Sequence, residues 1–337
     1  MFEAALYNAI ECAKLLIEYG ADVNIQCNKY TTPLFEAIIY EHIEMVELLC
    51  SSGANPNIQD RYGVSPLHEA ATTSRDPTCL KLLIRANANV NLQDNNGATP
   101  LYDATRFNNY DCIKVLLNAG ANPNITTWYG STCALLASGN GSHTCLELLI
   151  SSGADIDKQN EFNNSPLHDA CYTNNPKCLE MLINAGANVN VLEKVGDTLI
   201  HTATRHDNIE CLKILVKVIS SKINDFNKSQ DAAIHLAARY NSIKCLKFLV
   251  ESGANVHIKN KQKRTPLDIA KMEKRTEIIE FLSYTIYKRE HSQKFNNVLV
   301  ELDSLPPFPT MGFPGGKQYH TSYMSFLDAL HHISTQN

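Results

Sequence analysis

Cysteine and histidine are the residues of this chain that could do chemistry, because a thiol or an imidazole can act as a nucleophile, a proton carrier or a metal ligand. The 337 residues include 11 cysteines and 12 histidines. No CxxC pair and no paired Cys and His spacing typical of zinc sites occurs among them. Seven cysteines instead share one place of a period of 33 or 34 residues, which Met45 fills in one further copy: Cys12, Cys79, Cys112, Cys145, Cys178, Cys211 and Cys245.

The periodic spacing argues against disulfides and metal sites. Equivalent places in stacked helices lie about 8–10 Å apart, too far for a disulfide without backbone movement. We therefore expect buried thiols that fill a core in a reducing compartment. Four histidines follow the same period, so we expect them to make structural hydrogen bonds: His68, His168, His201 and His235.

Other chemical motifs are incomplete. Two glycines precede Lys317, but the earlier Gly and the following Ser or Thr of a phosphate-binding loop are missing. The segment Gly139–His143 falls in a turn between two predicted helices. The C-terminal tail beyond the repeats, residues 289–337, is too short to build a catalytic fold alone. The sequence therefore predicts no catalytic residue, no metal site, no cofactor and no enzyme activity.

A six-residue phrase indicates the elements that position these side chains. It reads small residue, Pro, Leu, polar or aromatic residue, any residue, Ala. Clear copies are Thr32–Ala37, Ser65–Ala70, Thr99–Ala104, Ser165–Ala170 and Thr265–Ala270, and weaker ones are Thr132–Ala137, Thr198–Ala203 and Ala232–Ala237. Thr-Pro predicts a capped helix start. A second helix follows, ends at a glycine such as Gly120, and leads through a polar finger to the next phrase.

This phrase, followed by a version of Gly-Ala-x-x-Asn, resembles the ankyrin repeat. The resemblance implies an all-α solenoid of helix-turn-helix units with hairpin fingers, whose concave face binds proteins. The alanine that ends each phrase predicts nine units: Ala4, Ala37, Ala70, Ala104, Ala137, Ala170, Ala203, Ala237 and Ala270. The first unit lacks its opening phrase, so we expect either an inner helix that serves as a cap or a sequence that begins inside a unit.

The predicted organisation has three parts. Residues 1–288 form the ankyrin-repeat array, residues 289–320 a linker rich in Pro and Gly, and residues 321–334 a short amphipathic helix. That last helix would either dock on the array or bind a partner.

The resemblance places the partner-binding surface on the fingers and on the exposed side of the first helices. Charged residues there predict a concave face that is acidic in its first half and more basic in its second, which suits an elongated partner with opposite charge segments; simple solvation of these charges is the alternative. They are Glu36, Glu69, Asp103 and Asp169, then Arg106, Arg205 and Arg239. Finger tips add candidate binding residues, unless they pack on the next finger: Arg61, Tyr62, Trp128, Tyr129 and Phe162.

Two further expectations come from the resemblance. The asparagine at the finger base resembles the target of asparaginyl hydroxylation, although its ordinary role is to hold the turn: Asn24, Asn57, Asn91, Asn124 and Asn190. The second helices also look like those of the ankyrin and SOCS-box family, which suggests a substrate-recognition subunit of a ubiquitin ligase. Leu305-Pro306-Pro307 is a faint match to that family's tail, and no Leu-Cys-Arg element follows the array.

Charge and hydropathy limit the remaining classes. The net charge of -5 argues against non-specific nucleic-acid binding. No segment has the apolar run needed to cross a bilayer, and no export signal opens the chain. We expect a monomeric, cytoplasmic protein, with the nucleus as a second location, that binds partner proteins of unknown identity and neither nucleic acid nor membrane.

Overall fold

The computed structural model describes residues 1–73 and 76–303, with side chains as far as His291. Helices that begin at the phrase alternate with a second set. The inner helices are α1 (Phe2–Leu6), α3 (Pro33–Ile39), α5 (Pro66–Thr73), α7 (Pro100–Arg106), α9 (Cys133–Asn140), α11 (Pro166–Tyr172), α13 (Leu199–Arg205), α15 (Ala233–Tyr240) and α17 (Pro266–Met272). The outer helices are α2 (Ile10–Glu18), α4 (Ile43–Ser51), α6 (Thr78–Arg85), α8 (Tyr110–Asn118), α10 (His143–Ser151), α12 (Pro176–Asn184), α14 (Ile209–Ile219), α16 (Ile243–Glu251) and α18 (Thr276–Asp303).

The helices stack as repeated pairs. Each inner helix contacts the outer helix of its own pair and the inner helices on both sides, and the outer helices contact one another in the same order. We number these pairs as units 1 to 9 along the described chain. The alanines that end each phrase, which we call the ruler alanines, are buried within one continuous apolar core, as at Ala37 and Ala104. The predicted all-α repeat solenoid is confirmed.

The phrase starts its helix as the sequence predicts. Thr99 Oγ1 accepts a hydrogen bond from the backbone N–H of Tyr102 (3.2 Å), and Pro100 occupies the first turn. Thr32 caps α3 in the same way. After the outer helix α8, Gly120 adopts a φ of 87°, in the left-handed region where glycine is favoured. Local residue types therefore fix where these helices begin and end.

Periodic histidines join neighbouring units. His68 Nδ1 accepts from the backbone N–H of Ser65 (3.2 Å), so Nε2 carries the proton and donates to the carbonyl of Ala98 (3.1 Å) in the next unit. His201 and His235 make equivalent bridges. Burial lowers the pKa of all three imidazoles, which favours this neutral form. These three histidines have the expected structural role.

His168 departs from this pattern. Its Nδ1 accepts from the backbone N–H of Ser165 (3.1 Å), but its buried Nε2 has no hydrogen-bond partner among the described residues. Burial lowers the pKa of this imidazole to about 4.

Cysteine thiols lie mostly in the core. Six of the seven periodic cysteines are buried, and burial raises the pKa of Cys112 to about 11, so that thiol stays protonated. Cys12 is exposed, contrary to expectation, because no helix of the described chain packs on that side of α2. Within the described ranges, no group of three or more His, Cys, Asp or Glu residues could hold a metal ion.

The last helix is longer than expected. Helix α18 continues to Asp303, whereas the linker was expected from residue 289, because no Pro or Gly interrupts residues 289–303. Arg289 donates to the carbonyl of Val250 (3.1 Å) at the end of α16. The rest of the expected linker, the amphipathic segment 321–334 and Leu305-Pro306-Pro307 lie outside the described residues. No described helix is long and apolar enough to cross a membrane.

Candidate protein-binding surface

After the exposed Glu3 of unit 1, four further inner helices each place a carboxylate just before the ruler alanine. Glu36, Glu69 and Asp169 are partly exposed, and Asp103 is almost buried, with 8% of the residue exposed. Burial raises the pKa of Asp103 to about 6, although Arg106 at 3.5 Å counteracts it. Burial, helped by Glu193, raises the pKa of Asp169 to about 7. The positive charge near Asp103 and Asp169 is therefore too small to offset the effect of burial on their carboxylates.

A neutral helix divides the acidic row in two. At the equivalent place α9 carries Leu136, and this inner helix, Cys133–Asn140, contains no charged residue. On one side lie Glu69 and Asp103. On the other lies Asp169, to which the next finger adds a carboxylate.

Sequence reasoning missed that added carboxylate. Glu193 accepts a hydrogen bond from the hydroxyl of Thr202 (2.5 Å), and burial raises the pKa of this carboxyl. Asp169 and Glu193 together form the second acidic position of the row. Its signal in the sequence was weak, because Glu193 lies in a finger rather than in the repeated phrase.

The expected basic half of the surface is largely neutralised. Arg205 forms an ion pair with the fully buried Asp197. Arg239 pairs with the buried Asp231 at 2.7 Å. A repeated spacing of eight residues between Asp and Arg in the two units could have indicated both pairs.

Unpaired positive charge lies instead in the last unit. Five lysines there are exposed, and none forms an ion pair within the described chain: Lys259, Lys261, Lys263, Lys271 and Lys274. The basic end of the surface is therefore unit 9 rather than units 7 and 8.

Aromatic side chains cluster on the finger tips. Trp128 is 70% exposed and Tyr129 67%, and Tyr62 and Phe162 are also exposed. The guanidinium of Arg61 lies 4.6 Å from the Tyr62 ring centroid, within cation–π range. Trp128 also packs on the preceding finger, since a Cβ on Gly97 would lie 3.0 Å from its Cδ1. The indole is thus held in place while most of it faces solvent.

Backbone hydrogen bonds connect successive finger tips. The N–H of Trp128 donates to Asn96 O (3.0 Å), and the N–H of Glu161 donates to Tyr129 O (3.1 Å). The last bond of this ladder runs from Lys194 N–H to Phe162 O (3.1 Å). Beyond it, the described fingers are joined by side chains: Asn227 donates to Asp197 (2.5 Å), and Asn260 donates to Asp231 (2.8 Å).

The finger-base asparagines hold neighbouring turns. Asn91 Oδ1 accepts from the backbone N–H of Asn122 (2.7 Å), and Asn24, Asn57 and Asn124 make the same contact one unit on. Asn190 is different, because its Oδ1 accepts from the ammonium of Lys222 (2.5 Å). Hydroxylation of these residues stays a prediction. Among these five asparagines, Asn190 is the one whose side-chain oxygen accepts no hydrogen bond from a backbone N–H of the next unit within the described chain.

The repeat architecture agrees with a comparison to known families. A family model described as Ankyrin repeats (3 copies) matches residues 1–60, 52–127, 134–227 and 219–292. The chain belongs to the ankyrin-repeat family. Ankyrin repeats are generally protein–protein interaction modules. None of the curated proteins matches the chain, so the partner has to be inferred from this ankyrin surface itself.

Proposed function

We propose that this ankyrin array is a binding module that holds an extended segment of a partner protein along its inner helices and finger tips. The observation that carries the proposal is the row of half-buried carboxylates with raised pKa beside exposed aromatic side chains. A cationic partner side chain would stabilise the ionised carboxylates. Trp128 and Tyr129 would supply the apolar contact area typical of binding hot spots.

The spacing of the acidic positions specifies the partner further. Inner helices are about 10 Å apart, so Asp103 and Asp169, two units apart, are separated by about 20 Å. An extended chain covers this distance in about six residues. We expect the partner segment to carry two Lys or Arg residues at that separation, with an apolar residue between them that faces Leu136. Where the segment reaches unit 9, we expect it to carry acidic residues.

Affinity purification followed by mass spectrometry tests the proposal. We expect the full chain to recover a partner that the double variant Trp128→Ala, Tyr129→Ala loses by about tenfold or more in affinity. Tyr284→Ala is the matched control, because Tyr284 is an equally exposed aromatic on α18. Equal recovery by all three proteins would exclude the finger tips as the binding site.

The ubiquitin-ligase role is a narrower alternative that the same experiment separates. A chain that ends at Asp303 keeps all described helices and removes the tail. Recovery of elongin and cullin subunits by the full chain and not by the shorter one would support a ligase subunit. If the full chain and the shorter chain recovered the same partners, the tail would not be needed to bind ligase subunits.

A further inference from the structure

Periodic cysteines lie against the inner helix of the preceding unit. Cys245 Sγ in unit 8 donates to the carbonyl of Ala203 (3.9 Å), the ruler alanine of unit 7. Cys211 Sγ in unit 7 makes the same contact with the carbonyl of Ala170 (3.5 Å), the ruler alanine of unit 6. Each thiol is therefore close to the residue that directly follows the ruler alanine of the unit before it.

That next residue decides what the thiol meets. In the neighbouring units 4, 5, 7 and 8 the place holds no cysteine: Thr105, Ser138, Thr204 and Ala238. In unit 6 it holds Cys171, so Cys211 meets a second thiol there. Both cysteines are fully buried. Burial, helped by a hydrogen bond with Cys211, raises the pKa of the Cys171 thiol.

The helices that carry these two thiols also contact each other. Outer helix α14 of unit 7 packs on α11, the inner helix of unit 6, as well as on its own inner helix. Among the described helices, no other contact between an outer helix and the inner helix before it is as extensive. A disulfide needs side chains that already meet, because its geometry tolerates little backbone movement. Cys171 and Cys211 satisfy this condition, in contrast to the equivalent cysteines of stacked outer helices.

The interface between units 6 and 7 also lacks a hydrogen bond that the next interface has. His201 Nε2 donates to the carbonyl of Asp231 (3.0 Å) and so joins unit 7 to unit 8. The buried Nε2 of His168 has no such partner among the described residues. Loss of one hydrogen bond lowers the free energy that local opening requires. Opening between units 6 and 7 therefore admits a small oxidant to thiols that burial otherwise protects.

We propose that Cys171 and Cys211 are an oxidation site at which hydrogen peroxide joins unit 6 to unit 7 through a disulfide. One thiol, as its thiolate, attacks the O–O bond of the peroxide and becomes a sulfenic acid, with release of one water. The second thiol then attacks that sulfur, and the sulfenic oxygen leaves as a second water while the S–S bond forms. The two sulfur atoms together lose two electrons, which the two oxygen atoms of the peroxide gain.

The disulfide would close a loop that contains part of the second acidic position. Glu193 lies within this loop, and Asp169 lies two residues before it on α11. The bond would oppose local opening between units 6 and 7. The redox state of the two cysteines therefore controls how freely these units separate.

Peptide mapping of the full chain after treatment with hydrogen peroxide tests the site. Trypsin places Cys171, Cys178 and Cys211 in separate peptides, 159–177, 178–194 and 206–213. With free thiols blocked, we expect peptide 159–177 linked to 206–213, at a mass two hydrogen atoms below their sum, and dithiothreitol should separate them. The exposed Cys12 shows that the oxidant has acted. The proposal is overturned if Cys12 is oxidised without this link, or if either peptide is linked to 178–194 instead.

Two variants separate this pair from the other buried thiols. Cys171→Ser should fold normally, since Ser138 stands at the same place in unit 5, and should give no linked peptide. Cys178→Ala is the matched control, because it removes another buried periodic cysteine, and it should keep the link. Peroxide should raise the melting temperature of the wild type and of Cys178→Ala but not that of Cys171→Ser. A rise in all three proteins would contradict the assignment.

A third variant tests the role of local opening. Thr204→Cys adds a thiol opposite Cys245 at the interface that His201 bridges. The new link should form about fivefold more slowly than the one between Cys171 and Cys211, because one more hydrogen bond must break. Equal rates would contradict opening beside His168 as the route of the oxidant.

Discussion

Asp169 shows how one residue can work against stability while it prepares a binding site. Its carboxyl is half-buried, next to Glu193, and no ion pair within the described chain neutralises it. Burial raises the pKa of this carboxyl from 3.8 to about 7. As the pH rises from 3.8 to 7, the unfolded chain releases this proton while the folded chain keeps it. The contribution of Asp169 to the free energy of unfolding therefore falls over this range and is lost above about pH 7.

Asp169→Asn should stabilise the protein in alkaline conditions. At pH 8 we expect a gain of about 1 kcal/mol, equivalent to about 2 °C in melting temperature. At pH 4 we expect no gain, because the wild-type carboxyl is then protonated in the folded state. Thermal unfolding at the two pH values measures this difference, and a basic peptide should bind the variant more weakly at pH 8.

Glu36→Gln is the control for this prediction. Glu36 occupies the same place in unit 2, where it accepts a hydrogen bond from Thr31 (3.0 Å). We expect no stabilisation from this variant. A gain at pH 8 that equals the one at Asp169 would mean that general charge reduction, rather than the burial of Asp169, causes the effect.

At the scale of the element, the turns at the finger bases couple one unit to the next. Asn91→Ala removes the acceptor for Asn122 N–H and should cost about 1 kcal/mol. Asn190→Ala removes only a contact with the exposed ammonium of Lys222 and should cost almost nothing. Urea unfolding midpoints compare the two variants. Equal losses of stability in the two variants would mean that Asn190 couples neighbouring units as strongly as Asn91 does.

Sequence predicted those parts of the elements that depend on neighbouring residues. Thr99 and Pro100 start a helix, and Gly120 follows one, because caps and backbone preferences act within a few residues. The pairing of Arg205 with Asp197 could not be predicted in this way, since a loop and a helix must first bring the two together. The solvent exposure of Arg205 was inferred from its place in the phrase, which does not include its partner.

The packing of Trp128 shows the same limit on the fingers. Its type and its position on a tip predicted exposure, and most of the indole is exposed. Its contact with Gly97 depends on how two fingers stack, which the spacing of the repeat alone does not specify.

The whole molecule is a linear series of units, so its cooperativity depends on each interface. After Lys194 the finger contacts rely on Asp197 and Asp231. Asp197→Ala would leave Arg205 and Asn227 without their buried acceptor, at a cost of about 3 kcal/mol. We expect units 7 to 9 to unfold before the rest of the array.

The single tryptophan allows this to be measured. Trp128 fluorescence reports on the finger between units 4 and 5, outside units 7 to 9, whereas far-UV circular dichroism reports on all helices. In urea the two signals should coincide for wild type and separate for Asp197→Ala, with the dichroism changing first. The exposed Asp225 provides the control variant Asp225→Ala, for which coincident transitions are expected. Coincident transitions for Asp197→Ala would mean that this interface is not the weakest.

The finger ladder also determines how the molecule should respond to force. Up to Lys194 successive tips are joined by backbone bonds along one edge, so this part of the array resists bending away from that edge. Past Lys194, extension is opposed at the tips by side-chain bonds that can rotate and lengthen. A load applied between the two ends would therefore stretch the array unevenly, with units 7 to 9 as the compliant part. A partner bound at both acidic positions and at unit 9 would be stretched unequally along its length, and it could transmit this difference in strain.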